Sequence, residues 1–234
     1  MKKILTIIVF FIGVMKMVEA KENITPIRAS INADYLFCDV KINDVSSFDN
    51  RDEVIFEQGN IASNTNVQIL SKKGMNSISI EVGSLDWFNP KNSTSDRKYE
   101  FDKRAYCYID IYKVDTNTGK NNTISKIQIK IDNDGLPQAF TSNALDESVV
   151  REDVYADNTE KVMKNRIRYS VGENEYPENM ALTKFTKKVM LDNIPHWKWE
   201  GSEVYDNKKI NELKYAYQEL WNAFESKNIS EIKK

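Results

Sequence analysis

The sequence predicts a mainly β protein, an antiparallel β-sandwich or jelly roll followed by one C-terminal amphipathic helix. Alternation of apolar and polar residues dominates from about Thr25 to Asp132, which is typical of half-buried strands. Loops rich in turn-forming residues separate the alternating runs. Near the C-terminus the apolar spacing changes to that of a helix. The expected organisation is a leader over residues 1–20, a sandwich over 21–200 and a helical segment over 201–234.

The first twenty residues have the pattern of a secretory signal peptide. Lys2 and Lys3 precede an apolar run over residues 4–15, and Val18 and Ala20 occupy the positions read by a signal peptidase. The alternative is an uncleaved anchor, but this run is shorter than the ~20 residues that a membrane-spanning helix needs. We therefore expect cleavage after Ala20, a periplasmic or secreted protein, and no stable membrane span in the mature chain.

Individual strands are predicted from the alternation. Residues 105–114 and 123–131 alternate on both sides of a turn-rich loop, which predicts a β-hairpin. Tyr35–Ile42 and Asn76–Val82 alternate as well. In the second of these runs we expect the Ile and Val side chains to face the core and the Ser and Glu side chains to face water. Further strands are predicted near Ile27–Ile31, Glu53–Glu57, Val67–Leu70 and Arg166–Val171.

Two later regions are harder to assign, whereas the last one has a regular period. Between Gln138 and Asn165 charged and apolar residues mix without a sustained pattern. Met180–Leu191 fits a helix or a strand, and its β-branched residues favour a strand. From about Asn207 the spacing predicts an amphipathic helix, with Asp206 or Asn207 as its N-cap. Its apolar stripe comprises Ile210, Leu213, Tyr217, Leu220, Trp221 and Phe224.

Cysteine and histidine usage limits the possible chemistry. Cys38 and Cys107 are the only cysteines, and their places on apolar strand faces of an exported chain predict a disulfide. Because His196 is the only histidine, a multi-histidine metal site is excluded and a Ser-His-Asp site lacks a nucleophile motif. Residues 132–135 lack the first and last ligands of a calcium loop, so they favour a turn, with an irregular single Ca²⁺ site as the alternative. We expect no metal and no cofactor.

Aromatic residues are the candidate binding groups. His196, Trp197 and Trp199 form an aromatic and cationic stretch, or else the two tryptophans fill a seam beside the last helix. Trp87 and Tyr108 are singled out from a wider aromatic set. That set comprises Trp87, Phe88, Tyr99, Phe101, Tyr106, Tyr108 and Tyr112. Such side chains stack on sugars, anchor protein partners or pack in sandwich cores.

Two segments resemble known families. Residues 40–83 resemble the galactose-binding-like jelly-roll domains, but Asn43-Asp44 stands where those domains commonly have Asn-Gly, and no sugar-binding residue carries over. This resemblance is carried by Leu70, Gly74, Asn76, Ile78 or Ile80, and Val82. The tail over residues 216–234 resembles the first helices of nuclear-transport-factor-2-like or SnoaL-like domains. The whole arrangement is similar to exported bacterial proteins, some of which serve as periplasmic immunity proteins against delivered toxins.

These features predict a non-enzymatic binding protein that engages a protein or glycan partner, with a toxin inhibitor as one form of it. The net charge of −2 means that the chain has no excess of Lys and Arg to neutralise backbone phosphates, which argues against nucleic-acid binding. The alternative is a hydrolase of cell-wall or surface glycans. Its carboxylates cannot be chosen from the sequence, because spacing along a chain does not measure a distance in space.

Overall fold

The computed structural model describes residues 25–54, 59–89, 91–92, 95–156, 176–177, 179–192, 194–197, 200–201, 209–227 and 230. The predicted signal peptide, the predicted strand Arg166–Val171 and the predicted cap residues Asp206 and Asn207 lie outside this part. The chain divides into one compact unit up to Pro195 and a second unit from His196 onward. Among the described helices, none is long and apolar enough to cross a membrane.

The first unit contains a six-stranded antiparallel sheet with the order β4-β1-β6-β7-β8-β9. Its strands are β1 (Ile27–Asp34), β4 (Ile61–Asn66), β6 (Tyr106–Val114), β7 (Asn121–Ile131), β8 (Pro137–Thr141) and β9 (Ala144–Leu145). The predicted hairpin is confirmed, because β6 pairs with β7 along its whole length and Ile109 lies opposite Ile127. The predicted turn after β7 is also confirmed: the Asp132 carboxylate accepts hydrogen bonds from the N–H groups of Asp134 and Leu136.

A five-stranded antiparallel sheet with the order β10-β11-β5-β2-β3 lies in the same unit. Its strands are β2 (Phe37–Ile42), β3 (Val45–Asp49), β5 (Gly74–Gly83), β10 (Val150–Tyr155) and β11 (Ala181–Leu191). The strand prediction for Met180–Leu191 is therefore confirmed. β11 pairs with β5 over nine residues, with Phe185 opposite Ile80.

The two sheets form a β-sandwich, as the alternation predicts, and the predicted disulfide joins them. Cys38 of β2 is bonded to Cys107 of β6, so the residues two and four positions beyond each cysteine, on the same side of its strand, face each other across the core. The core side chains of the six-stranded sheet include Ile27, Ile31, Ile109, Ile111, Ile127 and Ile129. Those of the five-stranded sheet include Val40, Ile42, Ile78, Ile80, Val82, Phe185 and Leu191.

A buried asparagine organises the chain beside the disulfide. The Asn50 side chain accepts a hydrogen bond from the Cys38 N–H and donates to the carbonyls of Leu36 and Gly59. Gly59 has φ +57, and a Cβ there would lie 2.9 Å from the Leu36 carbonyl oxygen. Glycine is thus required by both the backbone conformation and the close approach.

One strand prediction is wrong, and another lies mostly outside the described residues. Of the predicted strand Glu53–Glu57 the structure describes only the first two residues, which end a helical turn over Arg51–Val54; the Asp49 carboxylate accepts the Arg51 N–H and starts this turn. Gln68–Leu70 is a 3-10 turn, which the Ser71 hydroxyl closes by donating to the Val67 carbonyl. These side-chain bonds to the backbone compete with a sheet ladder.

The second unit contains helix α1 (Ile210–Glu225), the predicted C-terminal helix. The six residues of its predicted apolar stripe are all exposed. The Ser226 N–H donates to the Asn222 carbonyl at the end of the helix.

Candidate binding surface

The outer face of the six-stranded sheet carries aligned polar and aromatic side chains. One row across β1, β6, β7 and β8 places Asn32 opposite Tyr108, Tyr108 opposite Gln128, and Gln128 opposite Phe140. The neighbouring row places Tyr106 opposite Lys130. These positions alternate with the isoleucines of the core, so the pleat directs them away from it. We call the set Asn32, Tyr106, Tyr108, Gln128, Lys130 and Phe140 the tyrosine face.

Contacts on the tyrosine face order its aromatic rings. The Tyr106 and Tyr108 ring centroids lie 4.7 Å apart, and the Lys130 ammonium lies 5.7 Å from the Tyr108 centroid. The Tyr106 hydroxyl donates to Asn32 Oδ1 at 3.1 Å. Partial desolvation, with the nearby Asp34 carboxylate, raises the Tyr106 pKa. Both rings are half-buried, so they present preordered apolar surface beside amide and ammonium groups.

A half-open polar cleft of about 580 Å³ adjoins the tyrosine face and shares two residues with it. It is lined by Thr123, Ile124, Ser125, Lys126, Gln128, Phe140, Thr141, Ser142, Asp146 and Lys187. Both cleft lysines are ion-paired. Lys126 Nζ lies 3.3 Å from Asp110 Oδ2, and Lys187 Nζ lies 2.9 Å from Asp146 Oδ2.

The electrostatics of Asp146 follow from these contacts. Burial disfavours its charged form, but hydrogen bonds from Ser148 and Lys187 outweigh the burial and lower the carboxyl pKa. Asp146 is therefore a carboxylate at neutral pH. Its charge balances that of Lys187 inside the cleft.

The outer face of the five-stranded sheet carries a different arrangement, a buried ionic network. Lys41 Nζ lies 2.6 Å from Glu81 Oε2 and 3.6 Å from Asp39 Oδ2, and the Ser46 hydroxyl donates to Asp39. Glu81 and Ser79 were expected to face water, and this expectation is wrong: Glu81 is 6% exposed and Ser79 is fully buried. Glu81 is removed from water because Lys41, on the neighbouring strand, replaces water as its partner.

The environment of the Asp39 carboxyl in this network shifts its pKa. Burial is the largest effect and raises its pKa, while the Ser46 hydrogen bond and the Lys41 charge oppose the rise. Asp39 is only 1% exposed, and its second oxygen lies 3.5 Å from the Tyr176 hydroxyl. Most glycoside hydrolases use a pair of carboxylates as their catalytic groups. Here Lys41 holds both, and burial keeps them from a substrate.

A smaller concavity of about 290 Å³ lies beside Trp87. Trp87 is only 5% exposed and packs in a cluster with Phe37 and Leu182. The Lys98 ammonium lies 4.6 Å from its ring centroid, and Tyr99 packs edge-on against the same ring. The Trp87 ring therefore supports this concavity instead of presenting a free stacking face.

The two predicted binding residues of the first unit, Tyr108 and Trp87, lie at different sheets. Tyr108 lies on the tyrosine face, whereas Trp87 belongs to the cluster on the other sheet. His196 has an 83% exposed side chain, and its Nδ1 lies 3.1 Å from Glu200 Oε2. Trp197 is half-buried, and Trp199 lies outside the described residues. Among the described residues, no group of three or more His, Cys, Asp or Glu side chains is arranged to hold a metal ion.

Sequence reasoning did not find Asn32, Gln128 and Phe140. Phe140 lies where the pattern was too mixed to interpret, although Pro137 and Ala139 alternate with Gln138 and Phe140 there. That five-residue alternation is the signal that could have found it. Comparisons with protein-family models, with curated proteins and with solved structures found no match to the chain.

Proposed function

We propose that this is an exported, non-enzymatic binding protein whose tyrosine face engages a protein or glycan partner. The observation that carries the proposal is the row Asn32, Tyr108, Gln128 and Phe140 on a sheet whose opposite side already fills the core. Aromatic side chains on an outer sheet face offer apolar area with few rotatable bonds. Amide neighbours add hydrogen-bonding specificity.

The pairing and burial of four carboxylates of the sandwich support binding over catalysis. Asp110 and Asp146 are each held by a lysine, and the adjacent carboxylates Asp39 and Glu81 are buried with Lys41. A general acid or base must reach the substrate atom that it protonates or deprotonates. None of these four carboxylates is both unpaired and exposed.

Export is part of the same proposal. The signal-peptide pattern with cleavage after Ala20 supports it, and so does the oxidised pair Cys38–Cys107, since disulfides persist in oxidising compartments. The mature protein would then meet its partner in the periplasm or outside the cell.

The proposal is tested with the mature protein on a glycan array and on a displayed random-peptide library. The double variant Tyr106→Ala/Tyr108→Ala is compared with Tyr155→Ala, which removes an exposed tyrosine from β10 of the other sheet. We expect every specific ligand to bind the double variant at least tenfold more weakly and the control equally well. A ligand that depends on Tyr155 and not on the tyrosine pair would place the binding surface elsewhere.

A turnover assay tests the non-enzymatic part. Any glycan that binds is incubated with the protein and then separated by size. We expect it to remain intact, and cleavage that a single Asp or Glu substitution abolishes would show a hydrolase instead.

A further inference from the structure

We infer that the ligand of the tyrosine face is a neutral oligosaccharide that runs from the polar cleft across the strands toward Asn32. This inference rests on the proposed function, since it names the ligand class for the same surface. Three features of the surface lead to it: the spacing of the aromatic rings, the chemistry of the cleft and the pairing of its charges.

The spacing of the aromatic rings suits an extended chain of rings. Tyr108 and Phe140 occupy one row on strands β6 and β8, with Gln128 of β7 between them. Neighbouring strands lie ~4.8 Å apart, so these two strands are separated by roughly 10 Å. An extended glycan presents the same apolar ring face at every second sugar. Two aromatic platforms with an amide between them match that repeat.

The cleft supplies the hydroxyl-binding groups. Phe140 and Gln128 form part of its wall, and Thr123 adds a hydroxyl group beside Asp110 on the same side of the sheet. Ser125 and Thr141 also line the cleft, but their register places them on the side of the core residues Ile111 and Ala139. Hydroxyl and amide groups both donate and accept hydrogen bonds, as sugar hydroxyls do. A volume of about 580 Å³ falls within the range of small-molecule sites.

The charges inside the cleft balance, which favours a neutral ligand there. Lys126 and Lys187 are paired with Asp110 and Asp146, and Lys130, beside the Tyr108 ring, is the cation of the tyrosine face outside the cleft. An anionic ligand in the cleft would compete with a carboxylate for each of the two cleft lysines. A neutral polyol can bind without breaking either ion pair.

The test measures binding of oligosaccharides by titration calorimetry. The ligands are neutral hexasaccharides and the corresponding disaccharides of several linkages (gluco-, xylo-, manno- and N-acetylglucosamine series), with an oligogalacturonate as the acidic comparison. We expect at least one neutral series to bind and the acidic ligand to bind at least tenfold more weakly. Phe140→Ala should weaken both lengths at least tenfold, whereas Phe140→Tyr, which keeps the ring, should retain binding.

Tyr108→Ala distinguishes direct contact with the ligand from a merely structural role, because only direct contact makes affinity depend on ligand length. It should reduce the affinity of the hexasaccharide to that of the disaccharide, because only the longer ligand reaches the second ring. Tyr155→Ala should change neither, and equal melting temperatures confirm that the variants are folded.

Several outcomes would overturn the inference: neutral ligands that bind no tighter than about 1 mM, preference for the acidic ligand, or affinity that is independent of Phe140. If peptides bind the tyrosine face and glycans do not, the glycan inference fails and the proposed function stands. If every ligand is indifferent to the tyrosine face, both fail.

Discussion

On the five-stranded sheet the outward carboxylates of β2 and β5 are buried, with Asp39 at 1% and Glu81 at 6% exposure, whereas Tyr108 and Gln128 on the six-stranded sheet stay half-buried. Both faces arise from the same alternation, and both lie opposite a filled apolar core. On the first, the Lys41 ammonium pairs with the Glu81 and Asp39 carboxylates. On the second, rings and amides are ordered but not covered. The two outer faces therefore differ in how far their polar side chains are removed from water, and the proposed binding surface is the less buried of the two.

The largest expected effect concerns the bond that joins the two sheets. The Cys38–Cys107 disulfide closes a loop with a sequence separation of 69 residues. The chain-entropy account predicts that its removal lowers the free energy of unfolding by about 4 kcal/mol. We expect Cys38→Ser/Cys107→Ala to show one cooperative unfolding transition at lower denaturant concentration.

Mass spectrometry of the exported protein provides the control. Without reduction, the peptides of Cys38 and Cys107 should be linked, and the mature chain should begin at Lys21. Two alkylatable thiols in native material would contradict the disulfide. Separate unfolding transitions would show that the sheets are not one cooperative unit, and the comparison of their faces would then lose its basis.

The next effect separates the buried ionic network from a surface ion pair. Lys41→Met leaves the Asp39 and Glu81 carboxylates buried without a cation, which typically costs about 3 kcal/mol of unfolding free energy. Lys126→Met removes the partner of Asp110 on the other sheet, where the lysine side chain is 55% exposed. Such exposed pairs contribute about 0–1 kcal/mol to the free energy of unfolding. Chemical denaturation at pH 7 measures the loss for each variant.

A rescue variant keeps this prediction testable if Lys41→Met unfolds. In the triple variant Lys41→Met/Asp39→Asn/Glu81→Gln the uncompensated charges are gone, so stability should recover in part. Equal losses for Lys41→Met and Lys126→Met would mean that the two outer faces do not differ as we describe.

Alternation in the sequence predicts where most central strands lie but not which of their faces meets water. It identifies β5 through Ile78, Ile80 and Val82 and assigns its core side correctly. It wrongly predicts that Glu81 faces water. The Lys41 ammonium that pairs with this carboxylate lies beside it only in the folded sheet. The exposure of a polar side chain such as Glu81 depends on a partner forty residues away in the sequence. The alternation of apolar and polar residues within one strand cannot predict such a partner.

The candidate site was predictable only in part, for a related reason. Tyr108 belongs to a long alternating run, which the sequence shows clearly. Phe140 lies in a strand of only five residues, too short for a period to stand out from its mixed surroundings. The row that unites Tyr108, Gln128 and Phe140 depends on the register of three strands, and register is a property of the sheet.

The smallest expected effect contrasts two carboxyls through the pH dependence of stability. Burial raises the Asp39 pKa above its ordinary 3.8, whereas hydrogen bonds from the Arg104 side chain and backbone lower the Asp102 pKa to about 2. As pH rises above 3.8, the unfolded chain loses its Asp39 proton before the folded protein does. The stability that this group contributes at low pH is therefore lost as pH rises from 3.8 through the raised pKa, and it does not return at higher pH. Asp102 acts in the opposite sense: the folded protein loses its proton first, so its contribution is present above 3.8 and disappears as pH falls through about 2.

We therefore expect Asp39→Asn to gain stability relative to wild type as pH increases above 4. The difference for Asp102→Asn should shift toward wild type between pH 2 and 4. Denaturant titrations of the three proteins across pH 2–7 measure both slopes, and slopes of the same sign would contradict the assignment of Asp39 to a buried network.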